Sequence, residues 1–475
     1  MKAGTINAVS GARSDVARAI ASARDGDTVF IPAGTTTWAN ALITTAGSRS
    51  LTIQGAGTEQ TIIYDNVPKA GGGNQSVFWS FNLTAGKSFR LTGITVRGQA
   101  QDAQNYNNGT LVFSGGSHAV RIDHVNFIQP GTGCMIFNGD IWGVVDHCYF
   151  DLTGFHQGVQ IHHGNWNGDT GGWGDGSFED QLHLGTEKAI YIEDCAFQGS
   201  GTPGAGAIDG TFGGRFVFRH NTVTADQVGM HGTEGFRGRG LRSFEIYENT
   251  FTSPNGIFFV GCYIRSGTGV IFNNAFNGDG GGTGYRYGID LVIYRATTTA
   301  GRSCSGNNFG APWGMATGSN PWDGNTGVRG YPVLDQVGRG ACADRVRGDN
   351  PINQTTGTAS WPHNASEPVY EWGNTIQSIR GETNQLLTVQ CTDELLQQGR
   401  DYFRATEMPA YTPYAYPHPL TKGLPPSEQR TRNATGNLQH DAHKNRRPWG
   451  GKTPERKQAK KGTNQLPEGQ ENVDN

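Results

Sequence analysis

An eight-residue alternation of apolar and polar positions recurs between residues 120 and 376 of this 475-residue chain. Its copies are VRIDHVNF (Val120–Phe127), GVVDHCYF (Gly143–Phe150), IYIEDCAF (Ile190–Phe197), FVFRHNTV (Phe216–Val223), FEIYENTF (Phe244–Phe251), GVIFNNAF (Gly269–Phe276) and VYEWGNTI (Val369–Ile376), with FRLTGITV (Phe89–Val96) as an earlier, looser one. Positions one and three are mostly apolar, position eight is Phe, Val or Ile, and positions two and four are mostly polar. A period of two with one apolar set predicts a strand buried on one face. The starts from Phe89 to Gly269 lie 31, 23, 47, 26, 28 and 25 residues apart, so the interval of 47 reads as two coils or as one coil with a large insertion. Like strands at such spacing predict a solenoid with one copy per coil.

Position six holds Asn221, Asn249, Asn274 and Asn374, and CSGNNF supplies Asn307 in a degenerate copy. Asn tolerates the left-handed backbone and bonds locally, so a sharp bend is expected there. Coils stacked about 4.8 Å apart would let those amides bond to one another as a ladder. Cys148 and Cys195 take the same position and are expected as small bend residues. A strand from a second face should precede each copy, in GCMIFNG (Gly133–Gly139), GVQIHHG (Gly158–Gly164), GAIDG (Gly206–Gly210), GMHG (Gly229–Gly232) and GIFFVG (Gly256–Gly261). Turning Ile136, Ile161, Ile208 and Met230 inward leaves Phe137, His162, Asp209 and His231 as an outward column.

Toward the ends the pattern changes. Val16, Ala19, Ile20 and Ala23 fall at helical spacing within Ser14–Asp25, which predicts a short amphipathic helix capping the first coil. The expected organisation is an N-terminal cap over 1–30, coils over 31–300, a Gly/Pro-rich excursion over 301–368, a last coil and closure over 369–421, and a disordered basic tail over 422–475. Gly makes up 72 residues and charged residues only 17%, which suits many tight turns and a low-charge surface. A net charge of −3 gives the body of the protein no reason to bind nucleic acid. The seven Cys show no metal-ligand spacing. No apolar run is long enough for a membrane span. The first residues lack the apolar core of a signal peptide, so the signal is expected to have been removed or export to follow another route, such as a phage particle.

The column of His162, Asp209 and His231 is the sharpest chemical clue. Adjacent coils bring such side chains within hydrogen-bond reach, and a carboxylate holding an imidazole in one tautomer is a general acid/base group. Arg215, Arg219, Arg237, Arg239, Arg242 and Arg265 crowd the same coils, and guanidinium matches planar carboxylates, which points to uronic acids. In that reading His231 is the base, Asp209 its orienting carboxylate or a cation ligand, and Arg219 and Arg239 neutralise the sugar carboxylate, while Arg237 and Arg265 bind substrate. The insertion His162–Gly185 offers Trp166 and Trp173 for stacking on sugars, and Asp175 and Glu179, with Asp169 and Asp180, as Ca²⁺ ligands. A second outward column, Asp123, Asp146, Glu193 and Arg219, reads as a structural charge ladder or else a cation site.

DVARAIASARDGDTVFIPAG followed by LTIQGAG resembles the first coil of the pectate-lyase-like superfamily, and VRIDHVNF with GVVDHCYF is similar to its W-I-D-H strand, with Arg121 and Val144 where Trp is usual. YIEDCAF, GGRFVFRHNTV, HGTEGFRGRGLRSFEIYENTF, GYPVLDQVGRG, EPVYEW and YTPYAYPHPL look like a group of secreted bacterial repeat proteins. The resemblance covers roughly residues 10–420 and implies a single-stranded right-handed parallel β-helix, all-β. It implies a carbohydrate-active protein outside the cell or on a virion, monomeric, trimeric or filamentous. The superfamily's polysaccharide lyases, hydrolases, esterases and phage tailspikes leave the activity open. The R-x-P-x-x-R segment of pectate lyases is missing, as are the tandem acidic signatures of polygalacturonases. A lyase on an acidic glycan is the leading expectation, with a hydrolase or a non-catalytic adhesive protein as alternatives.

Overall fold

In the computed structural model, described over residues 3–68, 77–98, 110–129, 133–153, 157–201, 206–232, 239–293, 335–342, 364–390 and 396–422, the alternating segments are strands that pair in parallel with their counterparts one coil on. Three parallel sheets result, the first two running on into one another through the long strands Ser88–Gly98 and Ala119–Ile128. The first contains the N-terminal half of each repeat, among them Gly143–Asp146, Ile190–Glu193, Arg215–Arg219, Ser243–Tyr247, Thr268–Phe272 and Val369–Trp372. The second contains the C-terminal halves, such as Tyr149–Leu152, Ala196–Gly199 and Thr222–Thr224. The third holds the predicted preceding strands, here Met135–Gly139, Val159–His162, Ile208–Thr211, Val228–Met230 and Ile257–Ile264, and adds Gly284–Val292. The architecture is therefore nearly all β, with parallel sheets wound as a β-helix. Because Gly143–Asp146 pairs directly with Ile190–Glu193, the interval of 47 residues is one coil with an insertion.

Inward side chains explain why the coils stay in register. Phe81, Phe113 and Phe137 stack with centroids 4.9 and 5.1 Å apart, and Phe127, Phe150 and Phe197 at 5.2 and 4.4 Å. Each such ring removes its full apolar area from water, on the order of 2–3 kcal/mol apiece. At the bend the amides form the expected ladder: Asn221 N and Nδ2 donate to Asn249 Oδ1, Asn249 does the same to Asn274, and Asn274 to Asn374, all at 2.8–3.1 Å. Cys195 N donates to Asn221 Oδ1, and Cys148 N to Cys195 Sγ, which extends the ladder through the two thiols. The left-handed residue, however, is the one before. Position five carries φ near +50 to +70° at Gly93, His124, His147, Asp194, His220, Glu248, Asn273 and Gly373. The Asn at position six turns its amide inward, where only another amide or a main-chain group can satisfy it.

A helix spans Arg13–Ser22 and buries Val16, Ala19 and Ile20 against Thr5–Asn7, Thr28–Ile31 and Leu42–Thr45. It ends before Asp25, since Ala23 is already extended. At the other end, residues 405–421 lie on the outer face of the first sheet, where Met408, Tyr411, Tyr414 and Leu420 cover Val144, Tyr191, Val217, Val270 and Phe272. No helix among the described residues is long and apolar enough to cross a membrane. Arg237, Asn307, residues 301–334 and 343–363 of the expected excursion, and residues 423–475 of the expected tail lie outside the described residues.

Candidate active site

The third sheet's outer face brings together His162, Asp209 and His231, although its register differs from the one expected. Asp209 pairs with Gln160 and Gly229, whereas Gly210 pairs with Ile161 and Met230. Asp209 thus stands two residues out of line with His162 and His231. Phe137 points inward and is buried, so Ile136 takes the outward place assigned to it. Because side chains alternate with a period of two, a two-residue slip leaves Asp209 on the same face. It meets His231 diagonally, with Nε2 3.2 Å from Asp209 Oδ2.

On its other side the His231 ring is held by Arg265. Nη2 of Arg265 lies 2.6 Å from His231 Nδ1, and its Nε donates to the Met230 carbonyl at 2.6 Å. The Arg265 guanidinium also lies 5.6 Å from the Tyr263 ring centroid. Guanidinium only donates, so Nδ1 accepts and the imidazole proton sits on Nε2, facing Asp209. Gln157 Nε2 adds a 3.1 Å bond to Asp209 Oδ2, and Gln160 Nε2 bonds Gln157 Oε1 in turn. Burial alone would raise the Asp209 carboxyl, but the contact with His231 and the charges of Arg265 and His162 outweigh it and hold its pKa at about 2. His162 is half-buried one coil away; burial lowers it to about 4, with Asp209 opposing and His231 adding, so it is a neutral imidazole at pH 7. Its ring meets Phe212 edge-on at 5.4 Å, and Phe212 stands 6.3 Å from the half-buried Trp173.

Other expected site residues are drawn elsewhere. Arg239 is fully buried, clamped by Asp335 at 2.7 and 2.8 Å and by Asp175 at 3.0 Å, and lies over Phe178. It cannot neutralise a substrate from there. Arg219 is equally buried on the first sheet, bonded to Glu193, the Tyr247 hydroxyl and the carbonyls of Tyr414 and Ala415. Trp166 is buried, its Nε1 donates to Asp180, and Arg215 lies over its ring, so no face is left for a sugar. The charge ladder is structural: Arg90 pairs with Asp123, Arg121 with Asp146, and Arg219 with Glu193.

The acids of the insertion do not converge as Ca²⁺ ligands. Asp175 is bonded to Arg239, Asp169 accepts from Gly171 N and Gly176 N, Asp180 binds Trp166 and His183, and Glu179 is exposed at the surface. Among the described residues no group of three or more His, Cys, Asp or Glu is placed to hold a metal ion. Sequence reasoning missed the partnership of Arg265 with His231 and the support from Gln157. The one available signal was that Arg265 follows a strand at the position where His231 follows its own.

No family profile and no curated protein matches the chain. Among solved structures it is similar to an alginate lyase from Paenibacillus sp. str. FPU-7, at 14% identity over 57% of this chain and 94% of that one, TM-score 0.35. It is also similar to ORF18 of Geobacillus virus E2, at 15% identity over 59% of each chain, TM-score 0.27. A third likeness is the catalytic domain of a GH87 α-1,3-glucanase with nigerose, at 9% identity over 85% of this chain and 67% of that one, TM-score 0.32. Scores this low transfer neither substrate nor reaction, so function rests on the residues of this chain.

Proposed function

We propose that this β-helix is a polysaccharide lyase acting on an anionic, uronic-acid glycan along the outer face of the third sheet. His231 is the base, Asp209 fixes its tautomer and holds the imidazolium that forms, and Arg265 neutralises the uronate carboxylate, the role expected of Arg219 and Arg239. The observation that carries this reading is the chain of Asp209, His231 and Arg265, a base with a carboxylate on one side and a cation on the other. A carboxylate neutralised by guanidinium makes the adjacent C–H acidic. The base then takes that proton, the electron pair forms a C=C bond, the glycosidic C–O bond breaks, and the leaving oxygen takes a proton from solvent. His162 and Trp173, with Phe212, line the sugar path beside it.

A second carboxylate is needed for a hydrolase, at about 5 or 6.5–9.5 Å. Among the described residues Asp175 is spent on Arg239, Glu179 is exposed at the surface, and Asp290 stands three coils from Asp209 in the same column, about 14 Å away by strand spacing, while Glu234 lies outside the described residues. This favours elimination. In the same reading the Arg13–Ser22 helix closes the first coil of a single-stranded, right-handed solenoid, and the protein meets its polymer outside the cell or on a virion. An activity screen against acidic and neutral polysaccharides, followed by absorbance of unsaturated uronides and by reducing ends, tests it. New absorbance is expected; reducing ends alone would make it a hydrolase, and binding without product an adhesive protein.

A further inference from the structure

We propose that Arg265 is a specificity gate that keeps His231 capped until an anionic sugar arrives; the proposal rests on the reading of His231 as the base. In the protein without substrate neither ring nitrogen can take a proton. The Nδ1 lone pair is occupied by the Arg265 Nη2 donor at 2.6 Å, and Nε2 already carries its hydrogen toward Asp209 at 3.2 Å. A base so placed is idle, whatever neutral sugar lies over it.

A uronate carboxylate changes the competition. Guanidinium gains a charge–charge attraction from an ionised oxygen that a neutral acceptor does not offer, and its planar fork fits a carboxylate through two parallel bonds. The imidazole offers one neutral lone pair. Arg265 is half-buried, and its Nε stays bonded to the Met230 carbonyl, so Nη2 can swing from Nδ1 to a carboxylate nearby without leaving the site. The Tyr263 ring flanks the guanidinium through this change. One movement then does two things: it neutralises the sugar carboxylate, acidifying the neighbouring C–H, and it frees the Nδ1 lone pair to take that proton. The new imidazolium keeps its Nε2–H bond to Asp209. A neutral glycan has no group able to draw the guanidinium away, so it meets a capped base, and selectivity for acidic sugars comes from chemistry as well as from binding.

The test follows the Nδ1 resonance of His231 by ¹⁵N NMR of the whole chain labelled at histidine, with His231→Gln for assignment. Methyl glycosides of galacturonate, glucuronate and mannuronate are the probes, since they lack a cleavable bond, and the matching neutral hexosides are controls. A downfield move of Nδ1 on saturation with a uronate, and none with the neutral sugars, is expected. Arg265→Gln should show the moved resonance without ligand and a rise in KM for uronate polymer of more than tenfold, while Arg265→Lys should restore the cap. If both variants fail to fold, the wild-type titration decides. A uronate that binds by calorimetry and leaves Nδ1 in place overturns the gate, even where uronate polymer is cleaved with new absorbance. Equal turnover of carboxyl-reduced polymer overturns it also. A chain that neither binds nor cleaves any uronate loses the lyase reading and the gate together.

Discussion

The outer faces of the first and third sheets are built from the same alternation yet end in opposite states. On the first sheet Arg219 and Glu245 are answered from inside the protein: Arg219 by Glu193, Tyr247 and the carbonyls of Tyr414 and Ala415, and Glu245 by the Tyr411 hydroxyl and Gly185 N. Its apolar column is roofed by Met408, Tyr411, Tyr414 and Leu420. On the third sheet Asp209, His231 and Arg265 answer one another and are left half-buried, with the Tyr263 ring beside the Arg265 guanidinium. Arginine on a sealed face is a structural cation. Arg265 on the other stays half-buried beside the base, and among the described residues the difference lies in what covers the face.

Substitutions that exchange the two roles break this contrast if it is false. The largest effect is expected at His231→Ala, which should lower kcat/KM on uronate polymer by roughly 10²–10⁴ with the thermal midpoint nearly unchanged, read from uronide absorbance and calorimetry. Next is Arg219→Ala, which leaves Glu193 buried without its cation; about 3–5 kcal/mol of stability should be lost in denaturant unfolding. Third is the pH response of the sealed face. Burial raises Glu245 to about 7 from 4.5, against the opposing bonds from Tyr411 and Gly185 and the charge of Arg219. The folded state thus holds this proton more tightly than the unfolded chain. The stability it contributes is complete below pH 4.5 and is lost as pH rises through 7, on the order of 3 kcal/mol. Glu245→Gln should therefore gain on wild type between pH 4.5 and 7 and hold that gain at pH 8, as read from denaturation midpoints. Asp209 has the opposite sign: its contribution is present above pH 3.8 and fades as pH falls toward 2. The smallest effect is Trp173→Ala, where loss of a stacking face should weaken oligosaccharide binding by up to about tenfold in calorimetry, with no change in stability.

Much of this was legible in one dimension. The Asn ladder was, because a buried amide every coil has to find a partner, and only an in-register neighbour supplies one. Its left-handed corner was misplaced by one residue, since Asn satisfies both descriptions and sequence alone does not say whether its amide turns inward. On the third sheet, GAIDG and GMHG are too short and glycine-rich to fix a register, yet Asp209 survived a two-residue slip because period two returns a side chain to the same face. Sorting the arginines was beyond the sequence. Arg239 is claimed by Asp335 from 96 residues away, and Arg219 by Tyr414 from 195.

The sequence by itself determined the coil: alternation gave strands, spacing gave the stack, and the recurring Asn fixed which positions share a column, because these depend on local periodicity. Tertiary structure decided which face is closed and which cation is spent. Those outcomes depend on segments far along the chain folding back over the first sheet, as residues 405–421 do, and on Asp335 reaching Arg239.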